Sequence, residues 1–154
     1  GLAHVSKMIA QQILRIGDPA FTHLSRFLTP QEGSVIAYGT IQKTVSALDA
    51  ENRMYANPCS LDFLSMAGHI EDTACNSVMA ATNMRKIIDN LYYMTAIELM
   101  HAAQAVDLRE HPVLGEETEK LFEAYREIVP FLDNDRNMSE DIQKTYDFLK
   151  GYEV

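Results

Sequence analysis

The strongest constraint on the fold is a long stretch, Glu71–Asp107, that contains neither glycine nor proline. Because these two residues are the usual helix breakers, the stretch predicts one continuous helix. Its apolar residues recur at spacings of three, four or seven, as in a helical bundle or coiled coil: Val78, Ala81, Ile88, Leu91, Tyr92, Leu99, Ala102 and Val106. At 1.5 Å per residue, such a helix would span roughly 54 Å. This exceeds what a compact globule of 154 residues needs, so we expect partners from this chain or from other subunits.

Shorter helices are predicted on both sides of the long one. The first runs to about Ile16, and the second is expected to be capped by Ser34 and to end near Asn52. A fourth helix follows Gly115, and a last one is expected to be capped by Ser139-Glu140-Asp141 and closed by Gly151. No convincing strand is found, so the fold class is all-α, a long-helix bundle formed by residues 1–154 as one region.

Two connecting segments are predicted as loops. Ala20–Gly33 is expected to be held to the core by four apolar residues: Phe21, Leu24, Phe27 and Leu28. The second loop, about twenty residues long, leads from Glu51 to the long helix. Loops of that length in a compact domain are usually functional or tied down.

Charge and cysteine content exclude several classes of function. The net charge is −9 and the positive residues form no run, which argues against nucleic acid or an anionic membrane as a partner. No segment reaches the roughly 18 consecutive apolar residues of a membrane span. The only cysteines, Cys59 and Cys75, form no CxxC pair and fit a reducing cytosol, so we expect a cytoplasmic protein. The chain starts without Met, as if cut from something longer.

Common catalytic and metal-binding motifs are missing from the sequence. It contains no phosphate loop, HExxH, GxSxG or dinucleotide-binding fingerprint. Its five histidines are not spaced as metal ligands, so no metal site is predicted. His101 lies in an apolar stretch and is expected to be a hydrogen-bonded core residue.

The acidic pair Glu71-Asp72 has two interpretations that the residues alone leave open. At a helix N-terminus, carboxylates are stabilised by the helix dipole and by free N–H groups. Alternatively, Glu71 faces a ligand where the long loop meets the helix, and burial beside Ile70 suits it to general acid/base work.

Several stretches resemble the C-terminal half of the aromatic amino acid ammonia-lyases, and most of all the histidine ammonia-lyases. Residues 57–62, Asn-Pro-Cys-Ser-Leu-Asp, are similar to the family's His-Pro-Ala-Ser-Val-Asp. Residues 69–72, His-Ile-Glu-Asp, fall on its Asn-Gln-Glu-Asp, and residues 96–109 resemble its Ala-Ile-Glu-Leu-Leu-Ala-Ala-Ala-Gln-Ala-Leu-Asp-Leu-Arg. The resemblance covers about residues 25 to 150.

This resemblance implies a nearly all-helical homotetramer that eliminates ammonia from an aromatic amino acid. Its active sites draw residues from several subunits, and its electrophile, 4-methylidene-imidazol-5-one, forms from an internal Ala-Ser-Gly. This chain contains no Ala-Ser-Gly, so it is expected to be a C-terminal fragment that is inactive without the N-terminal region.

Of the family's active-site residues, only the glutamate of Gln-Glu-Asp carries over, onto Glu71. It is the predicted catalytic and substrate-binding residue, and a carboxylate there favours histidine as substrate. Ile70 stands in the substrate-binding position where the family has glutamine, and Thr73 stands where it has histidine. Two alternatives remain: a non-catalytic helical oligomerisation module, and an aminomutase on the same scaffold.

Overall fold

The computed structural model describes residues 1–61, 64–71 and 75–152. Six α-helices lie in these ranges: α1 Leu2–Ile16, α2 Pro19–Thr22, α3 Gln42–Tyr55, α4 Ser77–Asp107, α5 Glu116–Arg126 and α6 Met138–Gly151. Short 3-10 turns lie at Arg26–Leu28, Ala37–Gly39 and Cys59–Leu61. No strand occurs within the described ranges, and the all-α prediction is confirmed.

Helix α4 organises the bundle. It packs against α1, α3 and α6, and α1 also packs against α3. The core is formed by apolar side chains of α1, α3, α4, α5 and the connecting turns, including Ile13, Leu28, Val45, Met94, Ile97, Met100 and Tyr125. A buried amide helps to close this core, since the Gln104 side chain donates to the Leu132 carbonyl at 3.1 Å and accepts from the Leu132 N–H at 3.0 Å.

The start of α4 was predicted wrongly, at Glu71. The helix begins at Ser77, because Asn76 adopts a left-handed conformation with φ of 47° that interrupts the helical geometry. Its end at Asp107 agrees with the prediction. The helix has 31 residues and is therefore about 46 Å long, shorter than expected but still the longest element of the described chain.

The start of the second predicted helix was also wrong, since α3 begins at Gln42 rather than after Ser34. The backbone N–H groups of Ile36 and Ala37 donate to the carboxylate of Asp135, at 3.0 and 2.8 Å. Ala37 has a φ of 49°, which no α-helix contains. A contact with a distant residue therefore holds this segment in a turn.

Two smaller expectations fail for local reasons. Phe21 is exposed and does not hold its loop to the core, whereas Leu28 is fully buried there. Helix α6 begins at Met138, and its cap is Asn137, whose side chain accepts from the Ser139 N–H at 3.3 Å. The Ser139-Glu140-Asp141 group thus lies inside the first turn. In the part of the chain that the structure describes, no helix is long and apolar enough to cross a lipid bilayer.

Candidate active site

The predicted site residues lie on a tight turn that precedes α4. The Met66 N–H donates to the Glu71 carbonyl at 2.9 Å, and the Glu71 N–H donates to the Met66 carbonyl at 3.3 Å. Between them, Ala67, Gly68 and His69 all have positive φ, at 52°, 66° and 70°. Paired ends and a left-handed tip make this a closed, hairpin-like turn, which we call the Glu71 turn (residues 64–71).

Glu71 is not a helix cap. It lies six residues before Ser77, where α4 begins, and the N-cap position is occupied by Asn76, so Glu71 does not stand at the start of the helix as the capping interpretation required. Its partner in the sequence motif, Asp72, and the following Thr73 lie outside the described residues. The structure therefore removes the capping role of Glu71 and leaves its ligand-binding role as a prediction.

Both predicted site residues point away from the core of this chain. Glu71 is exposed, and Ile70 retains 86% of its accessible surface. The expected burial of Glu71 beside Ile70 is thus absent within the chain. Leu64 and Met66 are exposed as well, so the turn presents apolar side chains around one carboxylate. Exposed apolar groups of this kind mark surfaces that another element covers.

The chain just before the Glu71 turn is fixed to the start of α4. The Asn76 side chain donates to the Cys59 carbonyl at 2.8 Å, and the Asn83 side chain lies 3.5 Å from the Cys59 sulfur. The 3-10 turn Cys59–Leu61 is therefore docked on the helix that follows the Glu71 turn. One end of the loop that carries Glu71 is thereby set by hydrogen bonds.

A polar cluster joins the C-terminal part of α3 to the middle of α4. The Asn90 side chain donates to the carboxylate of Glu51 at 2.8 Å and to the side-chain oxygen of Asn52 at 3.0 Å. The Tyr55 hydroxyl donates to the same carboxylate at 2.8 Å. The hydrogen bonds from Asn90 and Tyr55 lower the pKa of Glu51. A charged, hydrogen-bonded Glu51 thus fixes the end of α3, from which the loop departs.

The prediction that His101 is a core histidine is confirmed. It is 1% exposed, its Nδ1 lies 2.7 Å from the Ile97 carbonyl, and its ring packs on that of Tyr38 with centroids 4.4 Å apart. Burial lowers the pKa of His101 to about 4, and the contact with the Ile97 carbonyl offsets this only in part. His101 is therefore neutral near pH 7 and stabilises the fold.

Sequence reasoning missed the residues that support the loop. Asn76, Asn83 and Asn90 are polar residues in a mostly apolar helical pattern, and this was the available signal. Buried polar side chains require partners, so such residues in a core-facing stretch indicate a hydrogen-bonded network. Among the described residues, no group of three His, Cys, Asp or Glu side chains is close enough to hold a metal ion.

Comparisons with known proteins identify the family. The sequence pattern described as "Aromatic amino acid lyase" matches residues 1–127. The chain belongs to the aromatic amino acid lyase family. It is 33% identical over 150 residues to the histidine ammonia-lyase of Geobacillus sp. (strain WCH70), covering 97% of this chain and 30% of that protein. The resemblance to this family noted in the sequence is confirmed.

Solved structures share the fold as well. The crystal structure of Ergothionase, the ergothioneine-degrading enzyme of Treponema denticola, superposes with a TM-score of 0.91 and 50% identity, over 97% of this chain and 30% of that one. Tyrosine aminomutase from Streptomyces globisporus superposes with a TM-score of 0.87 and 29% identity, over 96% and 28% respectively. The chain thus spans about 30% of the length of the relatives it matches.

Proposed function

We propose that this chain is the C-terminal part of a lyase that eliminates the α-nitrogen from an imidazole-bearing amino acid and yields an unsaturated acid. The supporting observation is that histidine ammonia-lyase relatives match 97% of the chain, including the segment that carries Glu71. In the elimination, a base removes a proton from Cβ and a double bond forms between Cα and Cβ. The Cα–N bond breaks, and its electron pair leaves with the nitrogen.

Glu71 is the residue to which we assign substrate contact and catalysis. A carboxylate accepts a hydrogen bond from an imidazole N–H, which orients the ring, and it can exchange a proton with that ring. Ile70, beside it, would line the substrate site with an apolar surface where the family has a polar glutamine. Because both are exposed in this chain, the pocket requires walls from the N-terminal region or other subunits.

The family's prosthetic electrophile is expected in the full-length protein and is not formed within this chain. The 154 residues contain no Ala-Ser-Gly from which 4-methylidene-imidazol-5-one could form. In addition, the described part of the Glu71 turn is exposed and does not enclose a group of that size. We therefore propose that the isolated chain is catalytically inactive.

The identity values favour a second substrate of the same chemical class. Identity is 50% to the ergothioneine-degrading enzyme, against 33% to the histidine ammonia-lyase. Ergothioneine is a histidine derivative whose α-nitrogen is a trimethylammonium group. A quaternary ammonium already leaves as a neutral amine, whereas a primary amine needs activation by an electrophile. A betaine of histidine would therefore relax the requirement for Ala-Ser-Gly in the whole protein.

The whole protein is further proposed to be a cytoplasmic homotetramer. The supporting observations are the uncovered apolar side chains on the first half of α4 and the two free cysteines. An oligomerisation role without catalysis is the alternative that these side chains would equally allow.

The test is an assay of the full-length protein with histidine, tyrosine and ergothioneine, following ultraviolet absorbance of the conjugated product and the released amine. Ammonia from histidine supports the lyase with a primary-amine substrate, and trimethylamine from ergothioneine supports the betaine substrate. A β-amino acid as sole product identifies an aminomutase instead. No amine release and no product from any of the three overturns the proposal.

A further inference from the structure

Both cysteines of the chain line one surface cavity beside the start of α4. The cavity has a volume of about 320 Å³, and its other lining residues include Tyr55, Pro58, Met84 and Ile87. Cys59 comes from the 3-10 turn that follows α3, and Cys75 immediately precedes the cap of α4. Two residues sixteen positions apart in the sequence are thus brought to the same concave surface, with largely apolar walls around them.

A hydrogen bond fixes the distance between the two chain segments. The side chain of Asn76, the residue next to Cys75, donates to the carbonyl of Cys59 itself at 2.8 Å. The Asn83 side chain lies 3.5 Å from the Cys59 sulfur and holds it on the α4 side of the turn. The two thiols are therefore carried by chain segments that a side-chain hydrogen bond holds together at one cavity.

The two thiols differ in exposure, and this difference sets their order of reaction. Cys75 is exposed, while Cys59 is half-buried, and both are free thiols. Hydrogen bonds from the side chain and backbone of Ser77 lower the pKa of the Cys75 thiol. Within this chain Cys75 is thus the more accessible thiol, and the half-buried Cys59, which lines the same cavity, is assigned the resolving role.

We propose that Cys75 and Cys59 form a thiol–disulfide exchange site that accepts a low-molecular-weight disulfide, such as oxidised glutathione, and closes to a reversible Cys59–Cys75 disulfide. This site is separate from the proposed lyase reaction and does not depend on it.

The chemistry balances in two exchange steps. The Cys75 thiolate attacks one sulfur of oxidised glutathione, whose S–S bond breaks, and the first glutathione leaves and takes up a proton. The Cys59 thiolate then attacks the Cys75 sulfur of the mixed disulfide, and the second glutathione leaves and takes up the second proton. The protein loses two electrons and two protons, and oxidised glutathione is reduced to two molecules of glutathione.

The position of the disulfide has a consequence for the Glu71 turn. Residues 60–74, which include Glu71, lie between the two cysteines in the sequence. Closing the disulfide joins the two ends of this segment covalently, so the redox state of the pair would act on the loop that carries the candidate catalytic residue.

The experiment treats the folded full-length protein with oxidised glutathione and measures free thiols and peptide masses. We expect the thiols of Cys59 and Cys75 to fall from two to none without retained glutathione. Cleavage after Glu71 separates the cysteines onto different peptides, so these should remain linked until a reductant is added. Retained glutathione on either cysteine, intermolecular linkage or two unreacted thiols would each overturn the proposal.

Single variants test the assigned order. Cys59→Ser should stop at a stable glutathione adduct on Cys75, because the resolving thiol is absent. Cys75→Ser should react more slowly, since only the half-buried thiol remains. A native protein that stays reduced while the guanidinium-unfolded chain forms the disulfide would show that the folded geometry opposes closure, and would also overturn the proposal.

Discussion

The two halves of α4 share one apolar periodicity but differ in what covers them. In residues 91–107, the side chains of Met94, Ile97 and Met100 are buried against α1, α3 and the connecting turns. In residues 77–90, by contrast, Val78, Met79, Met84 and Ile88 are exposed, and Ile87 is the one buried apolar side chain of this stretch. Periodicity therefore predicts that a helix face will be covered, but it does not say which chain covers it. The uncovered half is also the half next to the Glu71 turn.

The largest expected effect concerns the uncovered end. In the full-length lyase, Glu71→Gln should lower kcat by about 10²- to 10⁴-fold, because the amide cannot exchange a proton with the substrate. The thermal midpoint of the 154-residue chain should not change, since Glu71 is exposed there. Glu110→Gln, which removes another exposed carboxylate, serves as the control and should leave kcat unchanged. Equal kcat for the Glu71 variant and the wild type would contradict the assignment.

The second effect compares the two halves directly by stability. In the 154-residue chain, Ile97→Ala should lower the free energy of unfolding by about 2–5 kcal/mol, because Ile97 is 0% exposed. Val78→Ala should change it by less than about 0.5 kcal/mol, because Val78 is 82% exposed. Urea denaturation measures both. Similar losses for the two variants would show that the first half is packed after all.

The third effect is a pH dependence that belongs to the covered half. Unfolded His101 takes up a proton near pH 6.5, whereas folded His101 stays neutral until about pH 4. The unfolded state thus binds more protons in this window, so about 3 kcal/mol of stability is lost as the pH falls from 6.5 to 4. Urea melts across this range measure the slope. His101→Gln should flatten it and His111→Gln should not, and an unchanged slope in the first variant would rule out His101 as its source.

The smallest effect lies at the junction of the two halves. Asn90→Ala removes the hydrogen bonds to Glu51 and Asn52 and should cost about 1 kcal/mol of unfolding free energy. Asn134→Ala, at an exposed position, should cost less than about 0.5 kcal/mol. Equal values for the two variants would show that the polar cluster does not hold α3 against α4.

Helix ends that are set by neighbouring residues could be predicted from the sequence, whereas those set by distant contacts could not. The end of α1 is set by Gly17 and Pro19 and the end of α4 by the residues that follow it, and both were predicted. The start of α3 depends on Asp135, which lies 98 residues from Ala37 in the sequence, and no local pattern shows this contact. The left-handed conformation of Asn76 likewise places the start of α4 at Ser77, although the sequence pattern predicted a start at Glu71.

The residues alone left two interpretations of Glu71 open, and the family resemblance favoured the substrate-binding one. Glu71 was found from its motif, whereas its exposure in this chain could not be read from Ile70 and the apolar residues nearby. An apolar side chain tends to be buried by another part of the protein, but the local sequence does not show which part buries it. The supporting asparagines stand out as polar residues in an apolar pattern, but their partners Cys59 and Glu51 could not be predicted, since they lie in another part of the sequence.

The central claim is that the Glu71 turn and the first half of α4 are one side of a site completed from outside these residues. Hydrogen exchange of the backbone amides of residues 77–86, where every side chain except the half-buried Asn83 is exposed, tests it most directly when the isolated chain is compared with the full-length protein. Helices without tertiary packing open readily, so these amides should exchange fast in the isolated chain and slowly in the full-length protein. Equal, slow exchange in both would contradict the claim, because the isolated chain would then need no partner for this half of the helix.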